Sequence, residues 1–250
     1  MSSIPRLRMF AGPNGSGKST IKSVLRPELL GVYINPDEIE LEIKAQDFLD
    51  MTIFGVETTE SEILAFFNSS ALLEKAELLD EAACLRFSDD KLSFFEVGVN
   101  SYFASVAADF IRRKLLDRGK SFTFETVMSS SDKVEFLQKA QQRGFRTYLY
   151  YIATDDPMIN ISRVRNRVRL GGHPVPEDKV IARYNRSLGL LPEAIRYTDR
   201  AYIFDNSGPS QVWLAEVTEG CTLTMKTSQM PAWFKTAVWD KFAEWQGESN

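Results

Sequence analysis

One octapeptide constrains this chain more than any other feature. Gly12-Pro13-Asn14-Gly15-Ser16-Gly17-Lys18-Ser19 satisfies G-x-x-x-x-G-K-[ST] at every defined position. A short apolar run, Leu7 to Ala11, precedes it and reads as a strand; Ser19 to Leu25 follows as a helix stopped by Pro27. Strand, glycine-rich bend and helix in that order are the context a phosphate-binding loop requires. Glycines permit positive φ, so successive backbone N–H groups can point into one concave nest. A following helix adds unpaired donors and a positive dipole end. Lys18 is then expected to reach the β- and γ-phosphates of a nucleotide, and the Ser19 hydroxyl to hold Mg²⁺. The nucleotide-contacting stretch is predicted to run from Gly12 to Thr20. The bland alternative is a glycine turn with an incidental lysine.

The rest of the chain continues the alternation of short apolar runs with helical patterns. That predicts an α/β fold: a mainly parallel sheet flanked by helices. Further strands are expected at Val32–Ile34, Ser121–Glu125, Thr147–Ala153 and Tyr202–Phe204, and a terminal hairpin at Val212–Val217 and Thr222–Met225 around Gly220. Helices are expected over Glu38–Leu49, Ser61–Leu85, Tyr102–Leu116, Asp132–Gln142 and Glu177–Leu191, with another opening at Pro157. A last helix from Pro231 carries Trp233, Phe234, Trp239, Phe242 and Trp245, read as packing residues. The chain reads as a single domain over 1–250, with a helical insertion at 38–118 and a helical lid at 157–199. Two distant cysteines, Cys84 and Cys221, read as reduced thiols. With no apolar run long enough for a bilayer and no signal-peptide start, a cytoplasmic protein without membrane partners is expected.

Charge narrows the partners. The net charge is −4, which argues against nucleic acid as a general ligand. The charge is uneven: Pro36 to Asp90 holds 15 acids against three bases, and the remainder 27 bases against 19 acids. The acidic stretch reads as a solvated helical face. The single histidine, His173, excludes a multi-histidine metal site.

The loop alone does not separate kinase from ATPase. Asp155 and Asp205, each ending an apolar strand, are imperfect candidates for the metal-supporting carboxylate of a hydrolytic ATPase. No Leu-Ser-Gly-Gly or Asn-Lys-x-Asp motif occurs, so a small-molecule kinase fits better; an ATP-hydrolysing switch or interaction module is the alternative. On the acceptor side, Asp37 ends the second strand, where a carboxylate can take the proton of an attacking hydroxyl. It reads equally as the N-cap of the next helix. Glu125, ending the third strand, could bind an acceptor hydroxyl or assist Mg²⁺ through water, or simply meet solvent. Arg163, Arg165, Arg167 and Arg169 lie in one helix, and Arg183 and Arg186 in the next, beyond Gly171-Gly172-His173. This reads as a hinged lid whose arginines stabilise a transferring phosphoryl group, against the alternative of a solvated cationic helix. His173 could contact substrate there.

Taken together these pieces resemble the zeta-toxin family of P-loop kinases, and within it the bacterial branch labelled "predicted ABC-type ATPase". The matching segments are Ala11–Thr20, Tyr33–Ile39, Phe124-Glu125-Thr126, Gly171-Gly172-His173 with Val175-Pro176, Arg183-Tyr184 with Arg186-Ser187, and Tyr202–Ser207. The resemblance implies an ATP-dependent kinase using Mg²⁺ and acting on a sugar-nucleotide hydroxyl, such as that of UDP-N-acetylglucosamine, with a protein antitoxin as partner. It makes Asp37 the catalytic base. Glu125, with Thr126 beside it, falls on the substrate side, and Arg167 with Arg183 or Arg186 would bind phosphate. Between Asp37 and Glu125 this chain has more helical sequence than the family pattern, and after Ser210 the resemblance ends.

Overall fold

The computed structural model describes residues 4–22, 25–170 and 174–247. Its strands are β1 (Arg6–Ala11), β2 (Val32–Ile34), β3 (Phe48–Asp50), β4 (Arg86–Ser88), β5 (Lys91–Ser93), β6 (Phe122–Thr126), β7 (Arg146–Ala153), β8 (Arg200–Asp205), β9 (Val212–Thr218) and β10 (Thr222–Met225). Its helices are α1 (Lys18–Ile21), α2 (Pro36–Gln46), α3 (Glu60–Asn68), α4 (Ala71–Lys75), α5 (Leu79–Ala83), α6 (Ser101–Asp117) and α7 (Asp132–Gln142). After these come α8 (Pro157–Arg169), α9 (Glu177–Arg196), α10 (Ala232–Phe234) and α11 (Asp240–Gly247). The chain divides into two compact units, one drawn from 1–29 and 125–250, the other from 30–124.

In the first unit the strands run in the order β10-β9-β8-β7-β1. β1, β7 and β8 are parallel, in a register that aligns Phe10 with Tyr150 and Tyr150 with Tyr202. Parallel neighbours need a long crossover, and α8 and α9 supply the one between β7 and β8. Leu7 to Ala11 are buried throughout, as a strand covered on both faces must be. β9 returns antiparallel to β8 and β10 to β9, forming the expected hairpin. Trp233, Phe234 and Phe242 are buried and pack as expected, whereas Trp239 is 39% exposed. The helix after the phosphate loop is shorter than expected. Within the described residues α1 is a single turn, and Ser23 and Val24 lie outside them.

The second unit corrects the sequence reading. β2 pairs with β6 in parallel, Val32 opposite Phe122. The expected helix 38–49 is α2, which ends at Gln46 because Asp47 turns left-handed at φ 60°; β3 follows at once. The expected single helix 61–85 is three short ones, α3, α4 and α5, broken by the N-cap Ser70 of α4 and by Glu77 at φ 57°. The region 38–118 is therefore not purely helical. It holds a three-stranded antiparallel sheet, β3-β5-β4, whose β4–β5 hairpin turns on Asp89-Asp90 with φ of 49° and 59°. Two central residues at positive φ match a type I′ turn, which asparagine and aspartate tolerate. The acids of this stretch thus cap and turn as well as solvate: Glu60, Glu62, Glu74, Asp80 and Glu81 all sit in first helical turns, where the dipole favours them. Its core is aromatic, with Phe94 edge-to-face against Phe67 at 6.3 Å and against Phe103 at 6.0 Å.

Candidate phosphate-binding site

The loop leaves β1 at buried Ala11 and turns on three glycines at positive φ: Gly12 at 148°, Gly15 at 74° and Gly17 at 99°. Each is also held against a neighbour that leaves no room for a side chain. A Cβ on Gly12 would stand 2.0 Å from the Ile152 carbonyl oxygen of β7, on Gly15 2.6 Å from the Asn160 carbonyl oxygen, and on Gly17 2.4 Å from Asn206 Nδ2. Lys18 bends over the loop, its Nζ donating to the Gly12 oxygen at 2.9 Å and the Pro13 oxygen at 3.1 Å. Among the described residues, the buried Ser16 Oγ and Asn14 Oδ1 have no hydrogen-bond partner, as expected where a polar ligand completes the site. Ser19 is exposed in the first turn of α1. Thr20 donates to the Gly17 oxygen at 2.6 Å and to Gln211 Oε1 at 3.2 Å.

Three residues to which sequence reasoning gave no role support this loop, Asn206 having appeared only within the matching segment Tyr202–Ser207. Asn160 Nδ2 donates to the Asn14 oxygen at 2.6 Å, Asn206 Nδ2 donates to the Ser16 oxygen at 2.8 Å, and Thr154 Oγ1 donates to Asn160 Oδ1. The one available signal was weak: Asn160 is a poor helix former placed inside α8.

Asp37 lies in the second unit. Asn35, not Asp37, is the N-cap of α2: its side chain accepts from the Asp37 N–H at 2.9 Å. The capping alternative for Asp37 is thereby removed, and its carboxylate is exposed in the first helical turn. Glu125 and Thr126 end β6 half-buried, in the first unit. The Thr126 hydroxyl accepts from the Met128 N–H at 3.0 Å, which starts the turn after β6.

The arginines divide. Arg165 bridges α8 and α9 through Glu177 at 2.5 Å. Arg186 donates Nε to the Ser129 oxygen at 3.0 Å, beside Ser187, which donates to the Val127 oxygen at 2.8 Å. Arg167 and Arg169 are exposed and Arg183 is half-buried. Arg163 has a buried Nη1 without a partner among the described residues. His173 and the glycines before it lie outside the described residues. α8 and α9 border an open cavity of about 310 Å³, where Ile161, Val164, Val168, Val175 and Val180 meet Arg165, Arg169 and Glu177, and no residue of the loop lines it.

Asp205 is buried and fully engaged, whereas Asp155 is exposed. Asp205 accepts from Trp233 Nε1 at 2.8 Å, from the Ser207 N–H at 3.0 Å and from Ser207 Oγ at 2.7 Å. Asp155 Oδ1 accepts from the Trp233 N–H at 3.2 Å. Both strand ends are thus tied to the C-terminal segment. Tyr184 donates to the Thr154 oxygen at 2.6 Å, and burial, reinforced by Asp155, Asp156 and Asp205, pushes its hydroxyl up to about 12. It stays a donor at any ordinary pH. Burial likewise raises Tyr151, whose hydroxyl meets Ser187 Oγ at 3.0 Å.

A mainly parallel sheet flanked by helices, with this loop between β1 and α1, is the architecture of the P-loop fold. The zeta toxin family model matches residues 97–218, a span that contains Glu125, Arg167, Arg183 and Arg186 but not the loop or Asp37. That match, over 122 of the 250 residues, bears out the resemblance to the zeta-toxin family read from the motifs. An uncharacterized protein of Haemophilus influenzae is 22% identical over 175 residues, 70% of this chain and 89% of that one. Among solved structures, a chain of the AvrRxo1-ORF1:AvrRxo1-ORF2 complex with sulphate ions superposes with a TM-score of 0.53 at 16% identity. It covers 91% of this chain, which spans only 62% of its length. A chain of the PezAT chromosomal toxin–antitoxin system of Streptococcus pneumoniae gives 0.51 at 16% identity, covering 97% of this chain and 80% of its own. At that identity the likeness is one of fold. No helix among the described residues is long and apolar enough to cross a membrane.

Proposed function

We propose that this chain transfers the γ-phosphoryl group of ATP to a hydroxyl of a small molecule, with a sugar nucleotide such as UDP-N-acetylglucosamine as the leading acceptor. The observation that carries the reading is the loop itself: three glycines pressed against their supports, Lys18 at its mouth, and buried Ser16 Oγ and Asn14 Oδ1 without partners among the described residues. Gly12 to Thr20 would grip the triphosphate through backbone N–H groups, and Lys18 would exchange the Gly12 and Pro13 oxygens for β- and γ-phosphate oxygens. Mg²⁺ retains most of its waters and needs few protein ligands, so the exposed Ser19 hydroxyl with phosphate oxygens is a fitting donor set. Bound there, the ion would neutralise phosphate charge.

Asp37 takes the hydroxyl proton as the acceptor oxygen bonds to the γ-phosphorus, the bond to the β–γ bridging oxygen breaks, and ADP leaves. Glu125 and Thr126 hold the acceptor. Arg167, Arg183 and Arg186 stabilise the charge spread over the transferring group, and His173 is a further proposed substrate contact. The alternative, an ATP-hydrolysing switch, drew on Asp155 and Asp205. Of these, Asp205 is buried and bonded on both oxygens to Trp233 and Ser207, which leaves that alternative only the exposed Asp155. A protein antitoxin is the proposed macromolecular partner, because the family resemblance implies one and the PezAT neighbour is described as a toxin–antitoxin system. The test is Asp37→Asn, assayed with labelled ATP, Mg²⁺ and UDP-N-acetylglucosamine. Removing a general base typically costs ~10²–10⁴-fold in rate, while ATP affinity is retained. Undiminished transfer by that variant removes Asp37 as base.

A further inference from the structure

We infer that Asn160 and Asn206 are positioning residues of the phosphate loop, their carboxamides turning two of its peptide planes so that the N–H groups of Gly15 and Gly17 face the phosphate. The inference rests on the phosphate-site reading above and deepens it.

The geometry is that of a clamp built twice. A loop that binds an anion through N–H groups must turn the matching carbonyls away, and those carbonyls then need donors of their own. Asn14 and Ser16 present two such carbonyls. The first accepts from Asn160 Nδ2 at 2.6 Å and the second from Asn206 Nδ2 at 2.8 Å. In a trans peptide the C=O and the following N–H point in opposite directions. Fixing the Asn14 oxygen towards Asn160 therefore aims the Gly15 N–H the other way, and fixing the Ser16 oxygen towards Asn206 does the same for Gly17.

Both supports also press on the glycine whose N–H they orient. A Cβ on Gly15 would meet the Asn160 carbonyl oxygen, and one on Gly17 would meet Asn206 Nδ2. The glycines are thus required by the clamp as well as by φ. A carbonyl oxygen can only accept, so each asparagine must turn its NH₂ group to the loop. Thr154 fixes that choice for Asn160 by donating to Oδ1 from the other side, and both residues are fully buried. The supports are themselves anchored. Asn160 sits in the first turn of α8, two residues past Met158, whose N–H donates to the Asp156 cap, and Asn206 donates its own N–H to the Ala153 oxygen at 2.8 Å.

The test is calorimetric titration of the whole protein with ADP and with ATP plus Mg²⁺, using wild type, Asn160→Ala, Asn206→Ala and Thr154→Val. Losing one such hydrogen bond near bound phosphate is expected to weaken both nucleotides about tenfold for each asparagine variant and less for Thr154→Val. In the Asn160→Ala background Thr154→Val adds nothing, since its partner is gone. The loss appears in KM for ATP, with kcat at saturating ATP changed severalfold at most. A purely structural role would instead lower the binding stoichiometry and leave Kd of the folded fraction at the wild-type value. Folded variants with wild-type Kd, or additive Thr154 and Asn160 effects, overturn the clamp. Asn206→Ala decides it should Asn160→Ala not fold, because it acts from a different element. Wild type that binds neither nucleotide overturns the phosphate-site reading itself, a result distinct from failure of the clamp alone.

Discussion

Gly12→Ala is the sharpest probe of how the loop is seated. Gly12 combines φ 148° with a backbone neighbour: the new Cβ would lie 2.0 Å from the Ile152 oxygen and 2.9 Å from Ser16 Oγ. Ile152 stands in β7, bonded on one side to β1 and on the other to β8, so its carbonyl cannot swing aside as a flexible side chain could. Two costs add. A φ that only glycine adopts readily is worth ~1–3 kcal/mol, and overpacking against fixed atoms another ~1–3 kcal/mol. Together they predict a loss of about 2–6 kcal/mol. Gly144→Ala is the control within the same unit: φ is 78°, yet nothing lies within 4 Å of its would-be Cβ. It carries the backbone cost alone, about 1–2 kcal/mol. Urea unfolding followed by far-UV circular dichroism reads both, with m of roughly 1–3 kcal/mol/M for ordinary domains. The Gly12 variant should lose about 1 M or more of midpoint beyond the Gly144 variant. Equal shifts would refute the claim that Gly12 is held against β7.

Other outcomes follow from individual contacts. Asn35→Ala removes the cap of α2 and should cost about 1 kcal/mol in urea unfolding; no loss would mean the cap bond to the Asp37 N–H is unimportant. Trp233→Phe leaves the buried Asp205 carboxylate short of one donor and should destabilise by ~1–3 kcal/mol, more than the change in apolar area explains. Tyr150 and Tyr184 are both pushed up to about 12, chiefly by burial, so the folded state favours their neutral form. Their contribution is fully present below the unfolded value near 10 and is lost as pH rises towards 12. Stability should fall by about 1.4 kcal/mol per pH unit for each between those limits, and Tyr184→Phe should shed one such increment. A slope unchanged by that variant would show that Tyr184 ionises normally.

The phosphate loop was legible because its chemistry is contiguous: eight neighbouring residues carry both the φ requirement and the lysine. β1, β7 and β8 were legible for a related reason, since a strand covered on both faces is mostly apolar along its own length. The region after Asp37 was not. Its acids suggested one solvated helical face, yet Glu60, Glu74 and Asp80 begin separate helices, and Asp89-Asp90 makes a hairpin turn. Local charge does not tell a cap from a surface. Asn160 and Asn206 were illegible for a stronger reason. Their partners lie 146 and 190 positions away in the chain, so only the fold gives these carboxamides a role. Asp37 was legible as a residue but not in its local role, which depended on whether Asn35 takes the cap.

The most direct measurement of the central claim is the fate of the γ-phosphoryl group. Wild-type protein, Mg²⁺ and γ-labelled ATP are incubated with a pool of cellular metabolites, and the products are separated and identified by mass. The account predicts a hydroxyl-bearing small molecule that gains one phosphoryl group, formed in step with ADP and lost in Lys18→Ala. Release of the label solely as inorganic phosphate, at the same rate with and without the pool, would contradict it.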